Sequence, residues 1–572
     1  MKKNSLLFLG TLLCNTIVAQ NQLYIPQTLT GPTFNLTVQS GTKQFYGSIV
    51  TPTYGVNGVW LAPTLIVNKG DSITLNVINS LPVKTTMHWH GLHVAPENDG
   101  GPHQSIKPNS TWSPSFKIRN NAGTFWYHPH GAGQTDPQVS KGIAGLLIVK
   151  DNVEALLNLP RTYGVDDFPL IVQSKAFDEL QQIATATGMD TALFVNGTLK
   201  PYLEAPAQVV RFRILNGSSL RSYNFGLSNG QSFYQIATDG GMLDTSVKLT
   251  RLRLSPGERA EILINLSGMM GQTVYFKSYS SELPIGIYGA DSVGNANNEI
   301  HDYYDNFLNG LDFNLLKINV ASATSGAVTT IQKSLVAINP INISTAAKNR
   351  RIVMDTIRLL SFETPNRAEG PFGMNNKSFD MEVVNEIVHL NTTEIWTLVN
   401  KTLVAHPFHI HDIQFNIIEK SGTQPAANER GWKDVVLVMP NDSVKFITKF
   451  TTFANSKVPY MYHCHLLHHE DDGMMGSFLV IDTSAAGVKK TENLNAFRLL
   501  PNPVSSKLTI QSNADLKDAV ITVMSVLGNK VISQKNDNSR EATIDVSGLT
   551  NGIYFIQINS GNTFFTQKFI KQ

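Results

Sequence analysis

Ten of the fifteen histidines in this sequence lie in four short segments, and one cysteine lies among them. The segments are His88-Trp89-His90, His128-Pro129-His130, His406-Pro407-Phe408-His409-Ile410-His411, and His463-Cys464-His465 with His469. A lone histidine in a β-protein is ordinarily a core or surface residue, but clustering of this kind is typical of metal ligands. Neutral imidazole binds copper, zinc, iron or nickel, so the histidines alone leave the metal open.

The spacing of the histidines fits strand geometry, because alternate side chains of a strand point to the same face. Each His-X-His pair therefore directs two imidazoles to one side. The pairs are His88/His90, His128/His130, His409/His411 and His463/His465. Eight imidazoles that converge from four strands can hold three metal ions in a compact cluster.

Cys464 indicates which metal is bound. It lies between His463 and His465, so in an extended segment its thiolate points away from both imidazoles and belongs to a different metal ion. The bonds that join Cys464 to its two neighbours then give a covalent path for electrons between the two metal sites.

Three further residues complete a ligand set around Cys464. His406, at an odd offset from His409, turns to the same side, and His469 and Met474 follow Cys464 at a separation that a tight loop can close. Two imidazoles, one thiolate and a weak thioether form the trigonal ligand set of a blue-copper electron-transfer site. The pattern therefore predicts copper.

The elements that must position these residues are short strands. Alternating or apolar runs such as residues 64–67, 72–77, 209–215 and 478–481 are broken by Gly, Pro, Asn and Asp, and helical periodicity is scarce. This pattern is typical of β-sandwiches. We predict an all-β fold.

Turn-rich and polar stretches divide the chain of 572 residues into units. A first unit is predicted at 20–151, a second at 160–320, a third at 349–482, and a small β-domain at 500–572. Residues 322–348 are rich in Ala, Ser and Thr and are predicted to form a linker.

The first nineteen residues are predicted to be a cleavable export signal, with Lys2 and Lys3 before an apolar run and cleavage after Ala19. Leu13 disfavours the lipoprotein alternative at Cys14. No later apolar stretch is long enough to span a bilayer, so no transmembrane segment is expected in the mature chain. A net charge of +2 without a Lys/Arg run lacks the basic footprint of a nucleic-acid-binding protein.

The four histidine segments resemble the copper-binding motifs of multicopper oxidases, the family of laccases, cuprous oxidases and bilirubin oxidases, over about residues 20–482. The resemblance implies three cupredoxin-like Greek-key domains and four copper ions. It implies type 1 ligands at His406, Cys464, His469 and Met474, and type 2 ligands at His88 and His409. It implies one type 3 ion on His90, His128 and His465, and the other on His130, His411 and His463.

Two carboxylates match acids of the same family. Asp99 corresponds to one near the type 2 copper and Glu470 to one near the type 3 pair. Reduction of dioxygen to water consumes four protons, so we expect both to carry protons, whereas the alternative is a solvated surface acid. The remaining histidines fit no ligand position and are expected to be ordinary polar residues: His93, His103, His301, His389 and His468.

The resemblance assigns the second unit a structural role, since it carries no ligand set of its own.

Motifs such as 501–504 and 549–554 resemble the C-terminal sorting domain of type IX secretion cargo, which implies secretion machinery as a partner. The alternative is an ordinary β-sandwich binding module. We expect an exported protein, secreted or at the cell surface, with a periplasmic location as the alternative.

Two other functions stay open at this point. A copper nitrite reductase has a type 1 site but uses a single type 2 ion, which would leave the paired type 3 histidines surplus. A non-catalytic extracellular cupredoxin would bind or store copper.

For an oxidase, the partners are dioxygen and a small reducing substrate. The third unit lacks a methionine-rich insertion, with only Met374 and Met381 in that region, which favours a phenol or aromatic amine over cuprous ion.

Overall fold

The computed structural model describes residues 20–292, 306–357, 372–482, 497–516, 518–536, 539–560 and 563–572. The predicted export signal and His301 lie outside these ranges. The described residues form two compact units, divided after residue 483, and their regular secondary structure is almost wholly β-strand. The all-β prediction is confirmed. Among the helices described, none has the length and apolar character that crossing a membrane requires.

The first part of the large unit is a sandwich of two sheets, with strand orders β2-β5-β10-β9 and β4-β3-β6-β7, where β8 also pairs with β6. In β6, residues Ile73, Leu75 and Val77 are at most 1% exposed and alternate with partly exposed positions, which places one face in the core. Strands β1 to β10 are Asn21–Gln22, Thr28–Thr30, Thr33–Lys43, Thr51–Val56, Thr64–Asn68, Ser72–Asn79, Ser110–Trp112, Ser115–Lys117, Gly123–Tyr127 and Gly145–Lys150.

The middle sandwich has sheets ordered β1-β15-β23-β22-β17-β20 and β14-β13-β11-β16-β21-β18-β19, and β12 pairs with β11. The first strand of the chain, β1, thus joins the middle sandwich by parallel pairing with β15. Strands β11 to β23 are Asp167–Phe177, Ile183–Ala184, Ala192–Val195, Thr198–Leu199, Pro201–Pro206, Val209–Asn216, Tyr223–Leu227, Phe233–Thr238, Gly241–Leu249, Leu252–Leu254, Arg259–Asn265, Thr273–Tyr279 and Asp312–Ala321.

The third sandwich has sheets ordered β25-β24-β27-β31-β29 and β26-β33-β32-β28-β30. Strands β28 and β32 are antiparallel neighbours, with Phe408 opposite Cys464 and His409 opposite His463. This register brings two histidine segments side by side. Strands β24 to β33 are Ala346–Thr356, Phe372–Met374, Glu386–His389, Thr393–Asn400, His406–Ile410, Phe415–Lys420, Val435–Val438, Ser443–Lys449, Tyr460–Cys464 and Met475–Ile481.

Helices are few and short in the described residues. There are two α-helices, α1 (Thr135–Ser140) and α2 (Leu467–Asp471), and they contact each other. In the sequence, each begins shortly after a His-X-His pair. The 3₁₀ helices are Pro96–Asn98, Glu154–Leu156, Ser280–Glu282, Ile343–Thr345 and Ala427–Glu429.

The C-terminal unit has its own apolar core, which includes Leu508, Ile521 and Phe569, each at 0% exposure. Its sheets are ordered β34-β35-β38 and β37-β36-β39-β40. Strands β34 to β40 are Phe497–Leu500, Lys507–Leu516, Ala519–Ser525, Lys530–Asn536, Ser539–Asp545, Gly552–Ser560 and Thr563–Lys571.

Because each compact unit buries its own core, we expect a chain that ends at Thr483 to fold without the C-terminal unit. Its cooperative thermal transition should match that of the large unit in the full chain, as measured by circular dichroism and calorimetry. A truncated protein that is unfolded, or that melts without cooperativity, would contradict this expectation.

Candidate metal centre

Three of the predicted ligands, His130, His411 and His463, point their Nε2 atoms at one another. The nitrogen of His130 lies 3.1 Å from that of His463 and 3.1 Å from that of His411, and the last two are 3.3 Å apart. All three residues are at most 1% exposed. They come from three separate histidine segments, one in the first sandwich and two in the third.

In each ring, the inner nitrogen is the one that faces the centre of the group and the outer nitrogen is the one that faces away from it. The hydrogen bonds of the outer nitrogens show why a cation fits between the inner ones. His411 Nδ1 donates to a carboxylate oxygen of Asp99 at 2.6 Å, and His463 Nδ1 lies 3.1 Å from the Cys464 carbonyl oxygen. Their Nε2 atoms therefore carry lone pairs, which repel at these distances unless a positive ion binds them. Two nitrogens at metal-bond distance from one tetrahedral ion lie roughly 3.3 Å apart, so the spacing suits a transition metal.

A second group consists of His90, His128 and His465. His90 Nδ1 lies 3.4 Å from His128 Nε2 and 3.3 Å from His465 Nε2. His128 is fixed by a hydrogen bond from its Nδ1 to the Pro129 carbonyl oxygen at 2.8 Å. All three imidazoles are fully buried.

His88 and His409 form a third candidate position. Each donates its Nδ1 hydrogen to a backbone carbonyl, at 2.9 Å to Asp99 and 2.8 Å to Asp434. Within the described residues, the Nε2 atom of each is buried without a hydrogen-bond partner. Together with His411 they form a group whose ligand atoms lie within 4.8 Å of one another. Two unpaired buried nitrogens of this kind fit a bound metal ion.

Cys464 belongs to a separate group on the other face of β32. Its Sγ lies 3.4 Å from His406 Nδ1 and 3.9 Å from His469 Nδ1, and these two nitrogens are 3.4 Å apart. Met474 is fully buried, and its carbonyl oxygen accepts the Cys464 amide at 3.0 Å. The thiolate and its neighbours His463 and His465 thus serve different groups, as the strand period predicts.

Burial keeps these ligands uncharged. It lowers the pKa of His130, His406 and His465 to about 3, so their imidazoles are neutral near pH 7 and offer lone pairs to a metal. Burial also raises the pKa of the Cys464 thiol above its ordinary range, so the thiolate needs a cation to form.

Both predicted carboxylates lie inside this arrangement and not on the surface. Asp99 is 2% exposed and bonds to His411. Glu470 is 1% exposed, with its oxygens 3.1 Å from His463 Nδ1 and 3.4 Å from His130 Nδ1. Burial acts to raise the pKa of Glu470, but the neighbouring imidazoles outweigh it and hold that pKa below its ordinary value.

The structure adds residues that sequence reasoning missed. Asp434 binds Arg259 of the middle sandwich through two hydrogen bonds of 2.6 Å and lies 3.2 Å from His90 Nε2. Its carbonyl oxygen also holds His409. No spacing rule marks Asp434, because its role arises from contacts between strands that are distant in sequence.

Gly257 of the middle sandwich lies against the ring of His465. Its φ is +82°, and an added Cβ would come within 2.8 Å of that imidazole. A glycine is therefore required both by the backbone conformation and by the space.

The other described histidines have different surroundings. His93 is 2.7 Å from an Asp412 oxygen and 2.6 Å from the Thr452 hydroxyl. His468 is 3.1 Å from Asp472. In the part of the chain that the structure describes, the groups able to hold a metal include none of the following: His93, His103, His389 and His468.

Comparison with known proteins agrees with this geometry. Family models described as multicopper oxidase match residues 37–154 and 352–484, and one described as secretion system C-terminal sorting domain matches 498–572. The sorting domain indicates export, to the cell surface or into the medium.

Among curated relatives, the multicopper oxidase mco of Staphylococcus haemolyticus is 33% identical over 78% of this chain and 88% of its own. The cell division protein FtsP of Escherichia coli is 30% identical over 78% and 89%. The laccase-like multi-copper oxidase CueO from Ochrobactrum sp. superimposes with a TM-score of 0.70 and 31% identity, over 80% of this chain and 100% of that one. The chain therefore belongs to the multicopper oxidase family and carries a C-terminal secretion sorting domain.

Proposed function

We propose that the protein binds four copper ions and couples one-electron oxidation of a phenol or aromatic amine to the four-electron reduction of dioxygen to water. The observation that carries this proposal is that consecutive residues at β32 face different groups of candidate ligands. Cys464 faces His406 and His469, while His463 and His465 face two other imidazole groups. One strand thereby connects a blue-copper ligand set to a polynuclear one.

The type 1 ion takes the group around Cys464, with Met474 as the weak axial ligand. The type 2 ion takes His88 and His409. The type 3 ions take the remaining two groups, each of three imidazoles. When bound, copper supplies one-electron redox chemistry at the thiolate and dioxygen reduction at the three-ion site. The type 3 ligands are His90, His128 and His465 for one ion, and His130, His411 and His463 for the other.

The protein supplies a dry, fixed environment and a route for protons. The ligand imidazoles are at most 1% exposed, so bulk water is excluded. Asp99 and Glu470 each touch an outer imidazole nitrogen, at His411 and His463, and we assign them as proton carriers for the four protons that dioxygen reduction consumes.

The surface near the type 1 group supports an aromatic reductant. The ring of Phe372, which is buried, packs 4.6 Å from that of His469. Ile285 is 63% exposed, and Gly286, the next residue, accepts a hydrogen bond from the amide of Ala405, which directly precedes His406. Leu403, three residues before His406, is 38% exposed. Exposed apolar side chains of this kind offer contact area to a phenol or aromatic amine.

The complete ligand arrangement weighs against the two alternatives. A nitrite reductase with one type 2 ion leaves the His130, His411 and His463 triad without a role. A non-catalytic copper-binding protein would show no oxygen uptake after copper loading. For export, we assign the C-terminal unit to type IX secretion machinery, on its likeness to a sorting domain.

Cys464→Ser should abolish the intense visible absorption and the turnover, because the thiolate-to-copper charge transfer is lost. Type 2 and type 3 copper should remain, so the protein should lose one copper ion per chain by elemental analysis. Met354→Leu, which removes a buried sulfur from the same core, is the matched control and should stay blue. A blue Cys464→Ser protein would show that another residue supplies the thiolate chemistry.

Glu470→Gln should separate the two halves of the reaction. It keeps the shape of the side chain but cannot cycle a proton, so reduction of the type 1 copper by substrate should be normal while reoxidation by dioxygen slows ~100-fold. Single-turnover absorbance measurements resolve both steps. Unchanged reoxidation would remove Glu470 from the proton route, and Asp99→Asn, measured in the same way, would be the remaining candidate.

A steady-state comparison of a phenol, an aromatic diamine and Cu(I) should rank the two aromatic substrates above Cu(I) in kcat/KM. The reason is that the third unit lacks a methionine-rich insertion and that exposed apolar side chains lie near His406 in the chain fold. Oxygen uptake gives a common measure for all three. A kcat/KM that is highest for Cu(I) would reassign the protein as a cuprous oxidase and leave the copper assignments intact.

A further inference from the structure

The outer nitrogen of one proposed type 1 ligand is bound by a residue of the middle sandwich. His469 Nε2 and the Tyr288 hydroxyl lie 3.0 Å apart. The same imidazole turns its Nδ1 toward Cys464 and His406. The middle sandwich, which supplies none of the proposed copper ligands, thus places a side chain beside the proposed type 1 site of the third sandwich.

The direction of this hydrogen bond follows from the ligand role. An imidazole that binds a metal through Nδ1 carries its hydrogen on Nε2, so His469 donates and the Tyr288 oxygen accepts. His406 has the same arrangement, because its Nε2 lies 2.8 Å from the Thr402 hydroxyl. That hydroxyl can direct its own hydrogen to Asn400 Oδ1 at 2.9 Å and so accept from His406.

Tyr288 is held firmly in this position. Its side chain is 5% exposed and belongs to the apolar core of the third sandwich, and its carbonyl oxygen accepts the Ser222 amide at 2.9 Å. Its ring lies 5.7 Å from the His469 ring at an angle of 71°. A hydrogen bond in such apolar surroundings is stronger than one in water.

We propose that Tyr288 is a positioning residue that orients His469 and sets the reduction potential of the type 1 copper. A hydrogen-bond acceptor at the outer nitrogen of a ligating imidazole makes the ring a better electron donor to the metal. It therefore stabilises the oxidised ion relative to the reduced one and lowers the potential. This inference rests on the proposed function, and it gives the middle sandwich a part in the electron transfer beyond a structural one.

The test is Tyr288→Phe in the full-length, copper-loaded protein. The variant keeps the ring and its packing and removes only the acceptor. It should retain the blue absorption and full copper content, while redox titration shows a higher type 1 potential. At a fixed ratio of oxidised to reduced mediator, the ratio of reduced to oxidised type 1 copper should rise on the order of 10-fold, the size expected for the net loss of one hydrogen bond from the oxidised state. Pulsed electron paramagnetic resonance should show a changed remote-nitrogen coupling for one imidazole.

Tyr223→Phe is the matched control. Tyr223 is a fully buried tyrosine of the same sandwich, and its hydroxyl lies 2.8 Å from Ser218 Oγ. Its loss should leave both the potential and the remote-nitrogen spectrum unchanged. Remote-nitrogen spectra of the wild type provide a second measurement that depends on no substitution, and they should show hydrogen-bonded outer nitrogens for both type 1 imidazoles.

The possible results distinguish a failure of the role of Tyr288 from a failure of the proposed function. A blue wild type whose Tyr288→Phe variant has the same potential and spectrum overturns the role of Tyr288 and leaves the proposed function standing. A wild-type protein that takes up copper without blue absorption overturns the proposed function, and the role of Tyr288 falls with it.

Discussion

The interaction on which this site depends is the hydrogen bond at the outer nitrogen, the ring nitrogen that faces away from the metal group, in most of the buried imidazoles. A ring can offer a lone pair inward only if its hydrogen sits on the other nitrogen, and burial leaves that hydrogen in need of an acceptor. Eight of the ten clustered histidines have a protein oxygen within 3.2 Å of the outer nitrogen. These oxygens come from backbone carbonyls, from the carboxylates of Asp99 and Asp434, and from the hydroxyls of Thr402 and Tyr288.

Asp434 shows how one such acceptor joins all three sandwiches. It belongs to the third, binds His90 of the first, and is held in place by Arg259 of the middle one. A buried carboxylate is stable only when it is paired, so the arginine compensates a charge that the imidazoles could not. Together with Gly257 and Tyr288, Arg259 makes the middle sandwich a supporting frame for ligands that it does not itself supply.

Local spacing in the sequence explains the directions of the inner imidazoles, but it does not reveal the acceptors at their outer nitrogens. The period of two along a strand is enough to pair His463 with His465 and to turn Cys464 the other way, since only local geometry is involved. The acceptors depend on tertiary contacts: Tyr288 and His469 are 181 residues apart, and Arg259 and Asp434 are 175 apart. The all-β fold was predictable from short broken runs, but the parallel pairing of β1 with the middle sandwich was not, because no local pattern encodes a partner strand. The predicted domain limits and ligand roles stay predictions.

The convergence of imidazoles from two sandwiches has a mechanical consequence. His130 and His411 are 281 residues apart in the chain, and an ion bound by both would close a loop of that length. Cross-links that close long loops restrict the unfolded chain most. Among the described residues, the free cysteine Cys464 forms no disulfide that could provide such a cross-link. In an exported protein, metal ions bound at this site would cross-link the chain as a disulfide does elsewhere, and their release would be a step toward unfolding as well as a loss of chemistry.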